Sequence, residues 1–205
     1  MRSTLRRPHR LVRPAVAALL ALVTVLPAGL FADAPPVQAA TTIRPRITGI
    51  APLSKEVYGY LPYWRIDATT VDRIQYELVS TIAIFGLGIK ADGNLDTGWV
   101  GYQEYIGDDV AAITNAAHDK GVRVVPTFQM FDSGSLPKMR AFLASTTAQN
   151  RFIAQALDLM DARQADGANL DFEPMFNEDA ASYLAFVARF RTAMKARFPT
   201  AQLVN

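Results

Sequence analysis

The sequence predicts an α/β fold in which parallel strands alternate with helices. Short apolar runs recur along the chain, and stretches with helical periodicity separate them. The predicted strands lie at 56–61, 80–87, 122–128 and 168–173, and a fifth begins at 201–205. The predicted helices are a short one near 69–78, one near 104–120, a long or split one near 137–164 and one near 178–197. Strands this apolar indicate a parallel sheet that is covered by helices on one face.

The beginning of the chain is typical of a secretory signal peptide. Five arginines precede an apolar run at 15–32, and small residues around Ala39 supply a cleavage site. A membrane-spanning helix is the alternative, but Pro27 interrupts the run and a span requires about 20 apolar residues. We therefore expect a secreted, extracellular protein that is cleaved near Ala39 and has no membrane span afterwards.

The expected organisation is a signal peptide at 1–39, a linker at 40–55 and one domain at 56–205. Removing the leader leaves 16 basic and 18 acidic residues, so the net charge changes from +2 to −2. The basic character belongs to the leader, and nucleic acid is not an expected partner. Because the chain has no cysteine, disulfides, thiolate nucleophiles and zinc–thiolate sites are excluded.

Histidine is nearly as rare as cysteine. Once the leader is removed, His118 alone remains, close to a helix end that Gly121 terminates. A cation at that end suits the helix dipole, which favours a structural role. Serine–histidine–aspartate catalysis and the usual histidine metal sites are therefore not expected.

The most informative segment is 166–173, which reads Asp-Gly-Ala-Asn-Leu-Asp-Phe-Glu. Its residues Asn169, Asp171 and Glu173 alternate with apolar ones, so on a strand they share one face at intervals of about 6.6 Å. Carboxylates are rarely placed among apolar residues without a chemical task. The pattern therefore predicts a candidate catalytic site on this strand.

Two neighbouring carboxyl groups suit acid catalysis. A general acid needs a raised pKa, and a second carboxylate raises it by like-charge repulsion while remaining ionised itself. We expect Glu173 to be the acid, because it is nearest the carboxyl end of the strand, where parallel α/β folds carry their active sites. The alternative is a structural role, since acidic residues at a strand end also cap helices and hold turns.

The segment resembles the fourth-strand signature of the family 18 glycoside hydrolases, which include chitinases and peptidoglycan glucosaminidases. Asn169 stands where that family usually carries Asp. Residues 57–64 and 80–86 are similar to the first and second strands of the family, and the resemblance covers roughly 56–205. The third strand departs from the family pattern, because Thr127 stands where a Ser followed by paired glycines is more usual.

The resemblance implies a (β/α)8 TIM barrel, of which this chain holds only the first four to five β/α units. Such a barrel takes about 250 residues. We therefore expect a partial domain that is truncated at its C-terminus and inactive by itself. A complete doubly wound α/β domain is the alternative, although no glycine-rich phosphate loop follows any predicted strand.

The resemblance also implies a mechanism, which is the substrate-assisted, retaining hydrolysis of polymers of β-1,4-linked N-acetylglucosamine such as chitin or peptidoglycan. Glu173 would protonate the glycosidic oxygen and later activate water. Asp171 would orient the 2-acetamido group of the substrate, and Asn169 would hydrogen-bond Asp171. Asp166 and Gly167 would shape the turn into the strand. No metal or organic cofactor is required.

Further residues are expected to contact the sugar. Tyr60, Trp64 and Phe85 would stack on sugar rings, with Thr127 a polar neighbour on the third strand. The full-length protein is expected to be a monomer. The alternative function is that of a non-catalytic, chitin-binding lectin of the same family, which arises when the acid is lost, but here Glu173 is present.

Overall fold

The computed structural model describes residues 41–47 and 53–205, so the predicted signal peptide lies outside the described residues. The described chain contains five strands, which are β1 (Tyr58–Pro62), β2 (Thr81–Gly88), β3 (Arg123–Phe131), β4 (Gly167–Glu173) and β5 (Gln202–Val204). It also contains six α-helices, which are α1 (Thr70–Arg73), α2 (Val100–Ile106), α3 (Asp108–Asp119), α4 (Pro137–Ala144), α5 (Thr146–Ala162) and α6 (Ala180–Arg197). Short 3-10 turns follow β1 and α1, at Tyr63–Arg65 and Tyr76–Leu78.

The five strands form one parallel sheet in the order β1-β2-β3-β4-β5. Each strand therefore lies beside its neighbour in sequence, and the order never reverses. A doubly wound sheet has a point of reversal, so that alternative is wrong. The predicted α/β class with a parallel sheet is confirmed, and the sheet is open, with β1 and β5 at its edges.

The sheet curves so strongly that strands which are not neighbours touch across its inner face. The hydroxyl of Thr81 on β2 donates to the side-chain oxygen of Gln202 on β5 over 3.2 Å. Nearer the other end of the strands, the amide of Asn169 on β4 lies 3.4 Å from the hydroxyl of Tyr60 on β1. Strands of a barrel curl in this way.

The outer face of the sheet packs on the helices and forms the core. Phe128 of β3 meets Phe152 of α5 edge-on, with ring centroids 5.2 Å apart, and Phe172 of β4 lies 5.6 Å from Phe186 of α6. Each fully buried phenylalanine stabilises the fold by about 1.5–3 kcal/mol. Because successive strand residues point to opposite faces, this packing directs the intervening polar residues to the inner face.

One predicted helix is divided in the structure, and the helix predicted as long or split takes the split form. The helix predicted at 104–120 is two helices, which meet at the extended residue Gly107. The helix predicted at 137–164 is divided at Ser145, whose hydroxyl accepts a hydrogen bond from the N–H of Ala148 over 3.2 Å. Serine favours this N-cap position because its side chain satisfies a free N–H of the first helical turn.

Residues 41–47, part of the predicted linker, lie against the end of the sheet where the strands begin. The guanidinium group of Arg46 donates to the carbonyl oxygens of Met160 over 2.7 Å and Ala165 over 2.6 Å. It also lies 4.1 Å from the centre of the Phe198 ring. These contacts attach the segment to the domain at the end opposite the strand C-termini.

A buried histidine–aspartate pair lies at the same end. Nε2 of His118 is 2.9 Å from Oδ2 of Asp166, and Nδ1 is 3.2 Å from the carbonyl oxygen of Arg44. The carboxylate of Asp166 also accepts the N–H groups of Val124 over 2.7 Å and Ile47 over 3.0 Å. The sequence indicated a helix-end role for His118; the structure gives it a tertiary role, in which it joins α3 to β4 and to the lead-in segment.

Candidate active site

The inner face of β4 carries Asn169, Asp171 and Glu173 at alternate positions, as the sequence predicts. Their exposure increases along the strand: Asn169 is buried, Asp171 is half-buried and Glu173 is exposed. Since Glu173 ends the strand, its carboxyl group is the one that solvent reaches most easily. The three residues form a row that runs from the buried middle of β4 to its solvent-exposed carboxyl end.

The two carboxyl groups of this row interact. Burial raises the pKa of Asp171, and the charge of Glu173 and a hydrogen bond between the two carboxyl groups raise it further. The pKa of Asp171 is raised first by burial, because this residue lies at the inner position of the row, and then by its carboxyl neighbour.

Asn169 contacts other partners than the resemblance implies. Its amide lies 3.3 Å from the hydroxyl oxygen of Thr127 on β3 and 3.4 Å from that of Tyr60 on β1. The expected hydrogen bond was to Asp171. The observed bonds join three strands below the carboxyl pair, and they hold the hydroxyl of the exposed Tyr60 on the inner face.

Five aromatic side chains form a continuous row that ends beside the carboxyl pair. We call this set the aromatic row; it consists of Trp99, Tyr63, Trp64, Phe85 and Phe131. Successive ring centroids are 5.9, 4.9, 5.9 and 6.0 Å apart. Trp64 is 60% exposed, and Phe131 is the register partner of Glu173. The sequence predicted Trp64 and Phe85 as sugar contacts but missed the other three.

A further inner-face residue that sequence reasoning missed is Gln129 of β3. It pairs in register with Asp171 and is buried, and its side-chain oxygen has no hydrogen-bond partner among the described residues. The signal was available in the sequence, because Thr127, Gln129 and Phe131 alternate on β3 just as the polar residues do on β4. The strand predicted from the apolar run at 122–128 continues to Phe131 in the structure.

Asp132 is a third carboxylate near the site, but its hydrogen bonds commit it to a structural role. Its oxygens accept the N–H groups of Ser133 and Met139, both over 2.8 Å. Burial opposes ionisation, yet these N–H groups lower the pKa of Asp132 below its usual value. Its own N–H donates to the carbonyl oxygen of Glu173 over 3.0 Å, which ties the end of β3 to the end of β4.

An arginine holds the loop that follows Glu173. The guanidinium group of Arg140 on α4 binds both carboxylate oxygens of Asp179, over 2.8 and 2.9 Å, and lies 3.1 Å from the carboxylate of Glu178. Paired N–H···O bonds of this kind fix orientation as well as distance. The backbone on both sides of the proposed acid is therefore supported by neighbouring elements.

Two negative findings apply to residues 41–47 and 53–205. No group of three or more histidine, aspartate or glutamate side chains there could hold a metal ion. No helix within those residues is both long enough and apolar enough to cross a membrane.

Comparisons with known proteins identify both a family model and a shared fold. The model of glycosyl hydrolase family 85 matches residues 110–204, which include β3, β4 and the carboxyl pair. A search of the curated proteins finds no match. Among solved structures, a chitinase from Bacteroides thetaiotaomicron is similar with a TM-score of 0.57 and 20% identity, over 73% of this chain and 45% of that one.

Two further structures share the fold. The spore cortex-lytic enzyme SleL of Bacillus cereus matches with a TM-score of 0.57 and 22% identity, over 72% of this chain and 34% of that one. The Group IV chitinase of Ostrinia furnacalis matches with a TM-score of 0.58 and 14% identity, over 73% of this chain and 43% of that one.

The described chain therefore shares its fold, a parallel sheet covered by helices, with part of each of these structures. The chain spans less than half the length of each of these structures. The matching family model is that of glycosyl hydrolase family 85, whereas the fourth-strand signature resembles family 18. Both are families of glycoside hydrolases, but they are different families.

Proposed function

We propose that the protein is a secreted glycoside hydrolase that cleaves polymers of β-1,4-linked N-acetylglucosamine, such as chitin or peptidoglycan. The observation that carries this proposal is the pair of Asp171 and Glu173 on the inner face of β4, at the carboxyl end of the parallel strands. The shared fold and the family 85 model support the general class. The resemblance of the octet at 166–173 supports the finer assignment to family 18 chemistry.

In the proposed reaction, Glu173 donates a proton to the glycosidic oxygen while the acetamido oxygen of the substrate attacks the anomeric carbon. Glu173 is suited to this role because its carboxyl group is exposed at the strand end. Asp171, whose pKa is raised above its usual value, lies beside Glu173 on the same face of β4 and can relay a proton to it.

Asp171 has a second task in the same scheme. Once it has lost its proton, its negative charge stabilises the positive oxazolinium ion that forms from the acetamido group, and its oxygens accept the N–H of that group. Glu173, now ionised, then acts as a base and activates the water that opens the oxazolinium ion. Two displacements at the anomeric carbon give retention of configuration.

The aromatic row supports a polysaccharide as substrate. Aromatic faces pack on the apolar faces of sugar rings, and exposed aromatic side chains gathered in one place mark a binding surface. Because the row ends at Phe131, beside Glu173, a sugar chain lying on it would bring a glycosidic bond to the proposed acid. This arrangement favours an extended substrate over a single sugar.

Hydrolysis of a fluorescently labelled N-acetylglucosamine oligomer by the full-length protein tests the proposal. Hydrolysis by the wild type that is lost in the Glu173→Gln variant would support the proposed function. The matched control is Glu77→Gln, which makes the same chemical change at an exposed residue on a 3-10 turn after α1. Binding of the oligomer without turnover by the wild type would contradict the hydrolase and favour the lectin.

A further inference from the structure

Gln129 is a buried amide whose hydrogen bonding is incomplete. The residue is 8% exposed, and its Oε1 has no hydrogen-bond partner among the described residues. Nearly all buried polar groups in proteins are paired, and an unpaired one destabilises the fold. A group of this kind needs an explanation, and a role in binding a ligand is one.

A second buried glutamine shows what a structural amide looks like in the same protein. Gln149 on α5 is 4% exposed. Its amide nitrogen donates to the carbonyl oxygen of Leu143 over 2.8 Å, and its oxygen accepts from Arg189 over 3.0 Å. Gln149 is thus satisfied at both ends by the protein, whereas Gln129 is not. The two residues form a matched pair for experiment.

The surroundings of Gln129 place its amide on the inner face of the sheet. A Cβ atom at Gly86 would lie only 2.5 Å from Oε1 of Gln129 and 3.6 Å from Nε2, so the oxygen rests on the bare backbone of that glycine and the nitrogen is turned away from it. On the other side, Gln129 is the register partner of Asp171. The amide therefore lies in the same cross-strand row as the inner carboxyl group of the candidate site.

The last torsion of a glutamine side chain is broad and roughly two-fold, so a half-turn of the amide exchanges the positions of the oxygen and the nitrogen. The group can thus offer either an acceptor or a donor to a ligand that occupies the row of Asp171. A sugar hydroxyl complements both, because it accepts and donates. An anion is disfavoured, because it would lie beside the carboxyl pair.

We propose that Gln129 is a specificity-determining residue that hydrogen-bonds a ring hydroxyl of the sugar held beside Asp171. The proposal rests on the proposed function, since it concerns the sugar that the carboxyl pair acts on. β3 would thereby contribute a polar contact to the sugar, in addition to the contacts from β4. The partner hydroxyl distinguishes the correct sugar from its deoxy analogues.

The test compares Gln129→Leu with the control Gln149→Leu in the full-length protein. We expect Gln129→Leu to keep or raise the Tm of the free protein, because it removes an unpaired polar group, and to lower kcat/KM on N-acetylglucosamine oligomers by about 10-fold or more. We expect Gln149→Leu to lower the Tm by several degrees, because Arg189 and two carbonyl groups lose their partner, and to leave kcat/KM unchanged.

A series of oligomers that each lack one hydroxyl on the reacting sugar completes the test. The wild type should discriminate against one of them, and Gln129→Leu should lose that discrimination alone. Wild-type kcat/KM in Gln129→Leu, or an equal loss on every analogue, would overturn the proposal while leaving the hydrolase intact. If the wild type binds oligomers without cleaving them, the Kd values of wild type and Gln129→Leu for the same analogues replace kcat/KM in this test, and an unchanged Kd would overturn the proposal. If the wild type neither binds nor cleaves oligomers, the proposed function and this inference both fail.

Discussion

Asp171 and Glu173 lie on one face of β4, yet only Asp171 is partly withdrawn from solvent. The burial gradient along the strand separates the two groups into an inner carboxyl group whose pKa is raised and an outer one that can reach a substrate. Substitution of either residue should therefore give a different result, although both are carboxylic acids in one row.

Replacing Glu173 by Gln should remove the transferable proton while preserving the shape of the side chain. We expect turnover of N-acetylglucosamine oligomers to fall by about 10² or more, with oligomer affinity retained, because proton donation is lost but the aromatic row is not. Steady-state kinetics and calorimetric binding measure the two effects. Near-normal turnover in the variant would show that another group is the acid.

Replacing Asp171 by Asn should change the pH dependence of stability. The pKa of Asp171 is raised in the folded protein, so its contribution to stability is fully present below the unfolded pKa and is lost as pH rises through the folded value. At neutral pH the ionised group therefore destabilises the fold. Asp171→Asn removes this ionisation and should be more stable than the wild type at pH 7 but not at pH 3.

Urea unfolding at several pH values measures this difference, with Glu77→Gln as the exposed control whose stability should follow the wild type. The same Asp171→Asn variant should lose activity, so that stability and turnover change in opposite directions, as is common for strained catalytic groups. Equal stability of variant and wild type across the pH range would contradict the raised pKa of Asp171.

Trp64 should contribute to binding of the sugar chain and little to folding. It is 60% exposed and lies within the aromatic row. Trp64→Ala should weaken oligomer binding by about 10-fold, at roughly 1–1.5 kcal/mol for the loss of a stacking face, with little change in Tm. Leu184→Ala is the control, since Leu184 is 61% exposed on α6, away from the row. Equal effects of the two variants on oligomer affinity would show that the aromatic row does not bind the sugar chain.

The buried pair of His118 and Asp166 should be essential for stability. Removing one partner of such a pair typically costs about 3–5 kcal/mol, because the other is left buried without its partner. We expect Asp166→Ala to lower the free energy of unfolding by an amount of this order. The ion pair of Arg44 and Asp119 lies close by but is exposed, so Asp119→Ala should cost no more than about 1 kcal/mol. Chemical denaturation of the two variants compares them directly.

The sequence predicted the strands and the polar row of β4 well, because both depend on local periodicity. Alternation places Asn169, Asp171 and Glu173 on one face whatever the tertiary structure, and apolar runs identify buried parallel strands. The contacts of those residues could not be predicted in this way. Asn169 binds Tyr60, a residue 109 positions away that only the curvature of the sheet brings near.

Burial was the second quantity that the sequence did not provide. Which of two carboxyl groups has the raised pKa depends on how deep each one lies, and this follows from the packing of β3 and β4 rather than from their spacing. The same holds for His118, whose partner Asp166 is 48 residues away. Gln129 and Phe131 were missed for a simpler reason, since they lie beyond the apolar run from which the strand was predicted.

The stereochemistry of the first product tests the central proposal most directly. The full-length protein would be mixed with a β-linked N-acetylglucosamine oligomer, and the anomeric protons of the new reducing end would be followed by NMR before mutarotation. Substrate-assisted hydrolysis by Asp171 and Glu173 predicts that the β-anomer forms first, and that glucose oligomers without the acetamido group are not cleaved. Initial formation of the α-anomer, or equal rates on the two oligomers, would contradict it.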